Sequence, residues 1–453
     1  MPLRSPSQSP VSRIDEKKLL VIVSIMVIAM MIDSEIGFVS DFLAEMISSP
    51  TGIALFICIA VIFAVLQYFI LGYVKKLSNE STTKALHLSV THTAVIIAQY
   101  VLVAMIAFVI VQILVLSQYN IIILYPVLFI SDGLWIVTLA LLSRALISWY
   151  RSRTGHGTKK SNTLVLVFSL SMVAYVVLGI FALISNIALL QEQVPLVTSS
   201  DVAYWGESEP GDFETQLTTV FYAASSIAYV LNWIGTVMLL RPYIQRFGKI
   251  KFWAIMGVVM VYYLASFPLF VLGYFEPAAE TDVDVMNSIL IFSVGAVLSG
   301  ILFGAAFLSI ARTLKQGSAL RKYMTIAAYG MVLFYVTLQA QVPQAAYPPF
   351  GLVSTACVVL STYLIYIGLY SSAVTVSQDL ALRRSIRKSV TAQSKFLDSI
   401  GTAQSETELQ SRVLTIAKKT SGDMAEKTGV EASLTEDEIK DYIGRVIKEL
   451  ESK

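Results

Sequence analysis

Ten runs of about twenty mostly apolar residues recur along the chain. Each matches the length that about 30 Å of hydrocarbon demands at about 1.5 Å per helical residue. They cover Leu19 to Phe38, Ile53 to Val74, Leu88 to Leu116, Ile121 to Ile147, Thr163 to Leu190, Leu217 to Leu240, Phe252 to Phe275, Ser288 to Ala311, Tyr323 to Gln341 and Gly351 to Val376. In lipid only helices and closed barrels satisfy their own backbone groups. The expected fold is therefore all-α: a polytopic transmembrane bundle of ten spans with a small helical cytoplasmic C-terminal tail. Composition agrees, since 56% of residues are hydrophobic and only 14% charged, against about 25% charged in soluble domains.

Basic residues orient such a bundle, because Lys and Arg near spans stay on the cytoplasmic side. With the N-terminus inside, all 33 Lys and Arg fall in the N-terminal segment, the inner loops and the tail, which alone holds 13. One missed or invented span would invert everything after it. The expected location is the cell membrane, multi-pass, with both termini cytoplasmic.

The outer segments carry 14 carboxylates, among them Asp33, Glu35, Asp41 and Glu45 in the first. One reading makes them solvated loop residues, since the insertion rule excludes bases and not acids. The other makes them a surface that concentrates cations and weakens with salt. The first run also has the basic-then-apolar order of a signal peptide, but Asp33, Ser34 and Glu35 follow Ile32 in place of a small-x-small cleavage pattern. A retained span is expected; cleavage would leave nine.

The formal charge of +2 gives no polyanion signal, so no nucleic-acid partner is expected. Cys58 and Cys357 lie in apolar runs, which excludes a disulfide scaffold or cysteine metal site. His87, His92 and His156 are too scattered for a metal site. No phosphate loop, zinc pair, nucleophile elbow or dinucleotide turn is present, so no cofactor and no particular enzyme chemistry is implied.

The chain divides into a flexible lead (1–17), the transmembrane domain (18–376) and the tail (377–453). The fifth and seventh runs share Met-Val-x-Tyr, at Met172 to Tyr175 and Met260 to Tyr263; common topology explains this as well as an old hairpin duplication does. After Val376, Ser377 to Ile400 holds no Pro or Gly, so the last span is expected to continue as a cytoplasmic helix. Thr435 and Glu438 have capping-box spacing, and Ile439, Tyr442, Ile443, Val446, Ile447 and Leu450 then line one helical face. That face needs a cover: Leu409, Val413 and Ile416 of the same tail, a second copy, or another protein.

Asp132 is the carboxylate set well inside a span, close to mid-membrane by residue count. A buried charge there is costly, so the group must be protonated, paired or facing water. A proton or cation site with Tyr125 and Trp135 on the same face is one reading; a hydrogen bond to a neighbouring helix is the other. The tight turn at Ser117 to Asn120 makes the third and fourth spans antiparallel neighbours and sets Asp132 level with Met105, out of direct reach of Gln99 and His92. Asn232 is a candidate partner from another helix. Arg144 is expected to snorkel to the interface. Ala296, Gly300 and Gly304 repeat every four residues, as close helix packing requires. Pro268 is a candidate kink.

In the stretches Val376 to Lys388, Phe396 to Ile400 and Leu434 to Ile439, the chain resembles uncharacterised multi-spanning membrane proteins of ammonia-oxidising archaea. The resemblance covers mainly the tail; it implies an archaeal setting and brings no assigned activity. Three functions fit the sequence: a receptor or signalling scaffold joining outer loops to the tail, a secondary transporter or proton-coupled carrier using Asp132, and a structural subunit of a membrane complex. The lipid bilayer is the expected partner, with protein binding or self-association through the tail.

Overall fold

Each apolar run forms one helix, as it must where no water is available to its backbone. The computed structural model of the chain describes residues 16–38, 44–80, 86–154, 163–191, 196–198, 212–271, 282–338, 347–379, 382–383, 386 and 392–428. The ten helices are α1 (Glu16–Phe38), α3 (Pro50–Glu80), α4 (Leu86–Leu116), α5 (Leu124–Thr154), α6 (Thr163–Gln191), α7 (Asp212–Leu240), α9 (Lys249–Val271), α10 (Asp282–Thr313), α11 (Ala319–Thr337) and α12 (Leu352–Gln378). Two short turns of helix, α2 (Ala44–Ile47) and α8 (Ile244–Phe247), link some of them, and α13 (Ala392–Thr428) belongs to the tail. Among the described residues, eight helices are long and apolar enough to cross a membrane: α1, α3 to α7, α10 and α12. The chain is an integral membrane protein.

Burial runs inside out relative to a soluble bundle. Val21, Ile97, Val115 and Val261 face outward, each more than half exposed, a surface that lipid rather than water must cover. At the centre, α12 is buried along its whole length, against α11 above all and also α5, α4, α1, α3 and α13. Helices α5, α6 and α7 pack in succession, and α10 closes on α11.

The two ends of the bundle differ. At one, which we call the loop end, strands β1 (Gln118–Asn120) and β2 (Leu196–Thr198) pair antiparallel with Tyr119 opposite Val197. At the other, the tail end, α13 lies against the end of α12.

Two expectations about neighbours are corrected. Helices α4 and α5 touch only lightly, because α5 packs mainly on α6 and α12; the polar groups of α4 turn to α12, with Gln99 Nε2 donating to the Ala356 carbonyl at 3.1 Å and His92 Nδ1 bonded to the Tyr363 hydroxyl. The tail does not continue α12. Asp379 adopts an extended backbone after α12, and its Oδ1 accepts from the Leu382 amide at 2.9 Å, an N-cap bond that starts a new turn. A single aspartate ends the helix without proline or glycine, because its side chain offers the backbone a competing acceptor.

Candidate functional site

Among the described residues, three polar clusters inside the bundle stand out besides the bonds of Gln99 and His92, and a fourth joins the tail to it. The first is built on Asp132, which is 3% exposed and accepts from Asn186 Nδ2 of α6 at 3.1 Å. The partner is thus Asn186, and not Asn232. Asn186 stands five residues before the end of α6 and Asp132 eight after the start of α5, so the pair lies about 7–12 Å from the loop end at helical rise. Trp135 packs against α6 at Gly179, where a Cβ would come 3.3 Å from its ring, and meets Phe334 edge-on at 5.7 Å. Tyr125 is half-buried, one residue from the start of α5.

Removing one partner of this pair is more damaging than removing both. Asn186→Leu is expected to cost about 1–2 kcal/mol by stranding the carboxylate. The double variant Asp132→Leu/Asn186→Leu should recover most of that loss. A thermal-unfolding double-mutant cycle in detergent measures it; additive losses would mean the two side chains do not interact.

The second place is the loop end of α12. Asp33 is fully buried, and its Oδ2 accepts from the Ser354 amide at 2.7 Å. The first amides of a helix lack partners within it and carry its positive dipole end. Gly351 takes φ +89 just before α12 and contributes no capping side chain; Asp33 of α1 caps the helix from outside. Ser354 Oγ donates back to the Met30 carbonyl at 3.0 Å, and Ser34 Oγ reaches Val336 O at 3.5 Å. Asp33 is therefore not one of the solvated loop carboxylates. The signal was present in the spacing of Met30, Asp33, Ser34 and Gly37, which share one helical face.

The third is a tyrosine network in the bundle interior. Tyr335 of α11 bonds the Tyr175 hydroxyl of α6 and accepts from Asn232 Nδ2 of α7 at 3.1 Å. Tyr229 of α7 stacks on Tyr263 of α9 at 3.7 Å and bonds Ser299 Oγ of α10 at 3.1 Å, while Tyr263 bonds Ser225 Oγ at 2.7 Å. Five helices meet there. Both tyrosines of the shared Met-Val-x-Tyr pattern belong to this network. Asn232, offered above as a partner for Asp132, instead serves Tyr335.

Gly300 and Gly304 lie against α11: a Cβ on Gly300 would stand 3.0 Å from Val332 O, and one on Gly304 2.8 Å from Ala328 O. Ala296 is buried on the same helix. Pro268 lies three residues before the end of α9. The terminal stripe Ile439, Tyr442, Ile443, Val446, Ile447 and Leu450 lies outside the described residues.

The tail cluster follows from α13. Its first half buries Phe396, Leu397, Ile400 and Ala403 against α5 and α12, with further contact to α6, α7 and α10. Trp149 Nε1 of α5 donates to Gln404 Oε1 at 2.8 Å, and Gln393 Nε2 donates to the Leu239 carbonyl at the end of α7 at 3.3 Å. A Cβ on Gly401 would fall 2.2 Å from Val376 Cγ1. A glycine inside an otherwise helical stretch is the sequence sign of such an approach. Beyond this, Leu409 and Ile416 are 46% and 65% exposed, so the second half of α13 leaves part of its apolar stripe uncovered.

Among the described residues no group of three or more His, Cys, Asp or Glu side chains could hold a metal ion. No known protein family, curated protein or solved structure matches the chain.

Proposed function

We propose that this protein is a ten-span signalling scaffold of the cell membrane, with both termini cytoplasmic, in which α12 links the outer end of the bundle to a docked cytoplasmic tail. The observation that carries the reading is the pair of joints on that one buried helix. Asp33 holds its first turn, and Gly401 of α13 fits against Val376 near its last. A rigid, fully enclosed helix can favour one of two arrangements only if both of its ends respond together. The confinement of every basic residue to the lead, inner loops and tail supports the orientation. The exposed Leu409 and Ile416, with the apolar stripe from Ile439 to Leu450, suit capture of a protein partner or a second copy.

Hydrogen exchange tests the coupling in the full chain. Asp33→Asn, at the far end of the bundle, is expected to speed amide exchange across Gln393 to Gln404 by about tenfold. Faster exchange in α1 and the start of α12, with α13 unchanged, would separate the two joints and end this reading.

The rival reading is a proton-coupled carrier, favoured by the buried Asp132–Asn186 pair. It requires water to reach Asp132 in some state of the transport cycle, and Asp132→Asn in reconstituted vesicles to lose flux. Equal flux in the two proteins removes Asp132 from any transport mechanism.

A further inference from the structure

The elbow between α7 and α9 combines exposed cations with exposed apolar side chains. Within thirteen residues it places four cations, Arg241, Arg246, Lys249 and Lys251, all exposed. Among and just after them stand exposed apolar side chains: Phe247 at 54%, Ile250 at 86% and Trp253 at 45%. Gly248 turns the chain at φ +83, where a side chain would be strained, and so separates α8 from α9. Tyr243 stacks on Phe247 at 6.1 Å, and Trp233 Nε1 donates to the Met256 carbonyl at 3.0 Å, fastening the elbow to α7.

The sequence holds no Asp or Glu between Glu214 and Glu276, so four cations and three large apolar groups share one surface without a carboxylate on their own elements. The elbow continues directly from α7, whose apolar span runs to Phe247, and α9 presents Ile255, Val258 and Val261 outward. Exposed aromatic and aliphatic side chains at a helix end sit at the depth of acyl chains and headgroups, and cations beside them meet phosphate. Simple loop solvation would explain the cations and leave the exposed Ile250 and Phe247 without a cover.

We infer that this elbow is a binding site for anionic phospholipid, with Arg241, Arg246, Lys249 and Lys251 on the phosphate headgroup and Phe247, Ile250 and Trp253 in the acyl boundary. The site adjoins the tail joint, since Gln393 of α13 bonds Leu239 two residues before Arg241. Lipid charge at the elbow therefore acts next to the point where the tail is fastened. The inference does not depend on what the tail does.

Native mass spectrometry of the full chain, titrated with phosphatidylglycerol or phosphatidylcholine, reads the preference directly. The wild type is expected to favour phosphatidylglycerol by about tenfold, less at high salt. R241Q/R246Q/K249Q/K251Q should bind the two lipids alike, with an unchanged thermal unfolding profile. A control neutralising four exposed cations elsewhere at the tail end, K17Q/K75Q/R312Q/K315Q, should keep the preference. Phe247→Ser/Ile250→Ser should weaken it with all four cations present. An elbow variant that retains the preference, a control that loses as much, or displacement of the lipid by an equal concentration of inorganic phosphate would each overturn the assignment.

Discussion

Gly368→Leu is expected to destroy the packing at the centre of the bundle. A Cβ at Gly368 would stand 2.6 Å from the Ala327 amide nitrogen and 2.8 Å from the Tyr323 carbonyl oxygen. Its counterpart on α11 is Gly330, where a Cβ would stand 2.7 Å from Ile365 N and 2.9 Å from Ser361 O. The two glycines bring the backbones of α11 and α12 into direct contact, as small residues do where helices associate without a hydrophobic drive between them. The obstruction is backbone on both sides, so no rotamer change relieves it. The expected loss is about 3 kcal/mol or more. Gly133→Ala is the control, since a Cβ there meets nothing within 4 Å; it should leave stability unchanged or raise it by up to about 1 kcal/mol. Thermal unfolding and size-exclusion profiles in detergent give both values. Equal melting of Gly368→Leu and wild type would show that α11 and α12 are not in backbone contact.

The second large effect is expected from Asp33→Ala. The substitution removes the acceptor for the Ser354 amide and strands that amide in a fully buried joint. Loss of a capping side chain costs about 1 kcal/mol, and a buried unsatisfied donor about 1–3 more. A total of about 3 kcal/mol follows. Asp33→Asn keeps an acceptor and forfeits only the charge at the positive helix end, so it should cost about 1 kcal/mol. Unfolding of the three proteins under one condition ranks them. If alanine and asparagine cost the same, the bond to Ser354 contributes nothing and the role of Asp33 is purely electrostatic. Gly37 makes the joint tight as well, because a Cβ there would lie 2.9 Å from Phe350 O. A bulky residue at either position therefore acts on the same contact between α1 and the start of α12.

Much of this architecture is legible before any coordinates. The helices follow the apolar runs in order, and among the described residues eight are long and apolar enough to cross a membrane, because a membrane leaves a backbone few alternatives. What residue counting misreads is burial and neighbour. Asp132 reads as a possible partner of Asn232, whereas its carboxylate accepts from Asn186 of α6. Asp33 reads as a loop acid because it follows the last uninterrupted apolar residues, yet it lies inside α1 and under α12. Tyr175 and Tyr263 share a motif that composition explains well enough, and their meeting within one network rests on which faces α6 and α9 turn inward.

Helicity and the apolar character of the spans are properties of residues taken one run at a time, and solvation energy along a single chain is enough to dictate them. The identity of the central helix, the trans cap on α12 and the seat of the tail depend on which faces meet. Those contacts are chosen by glycine clearances and single hydrogen bonds between residues hundreds of positions apart, and no local periodicity encodes them.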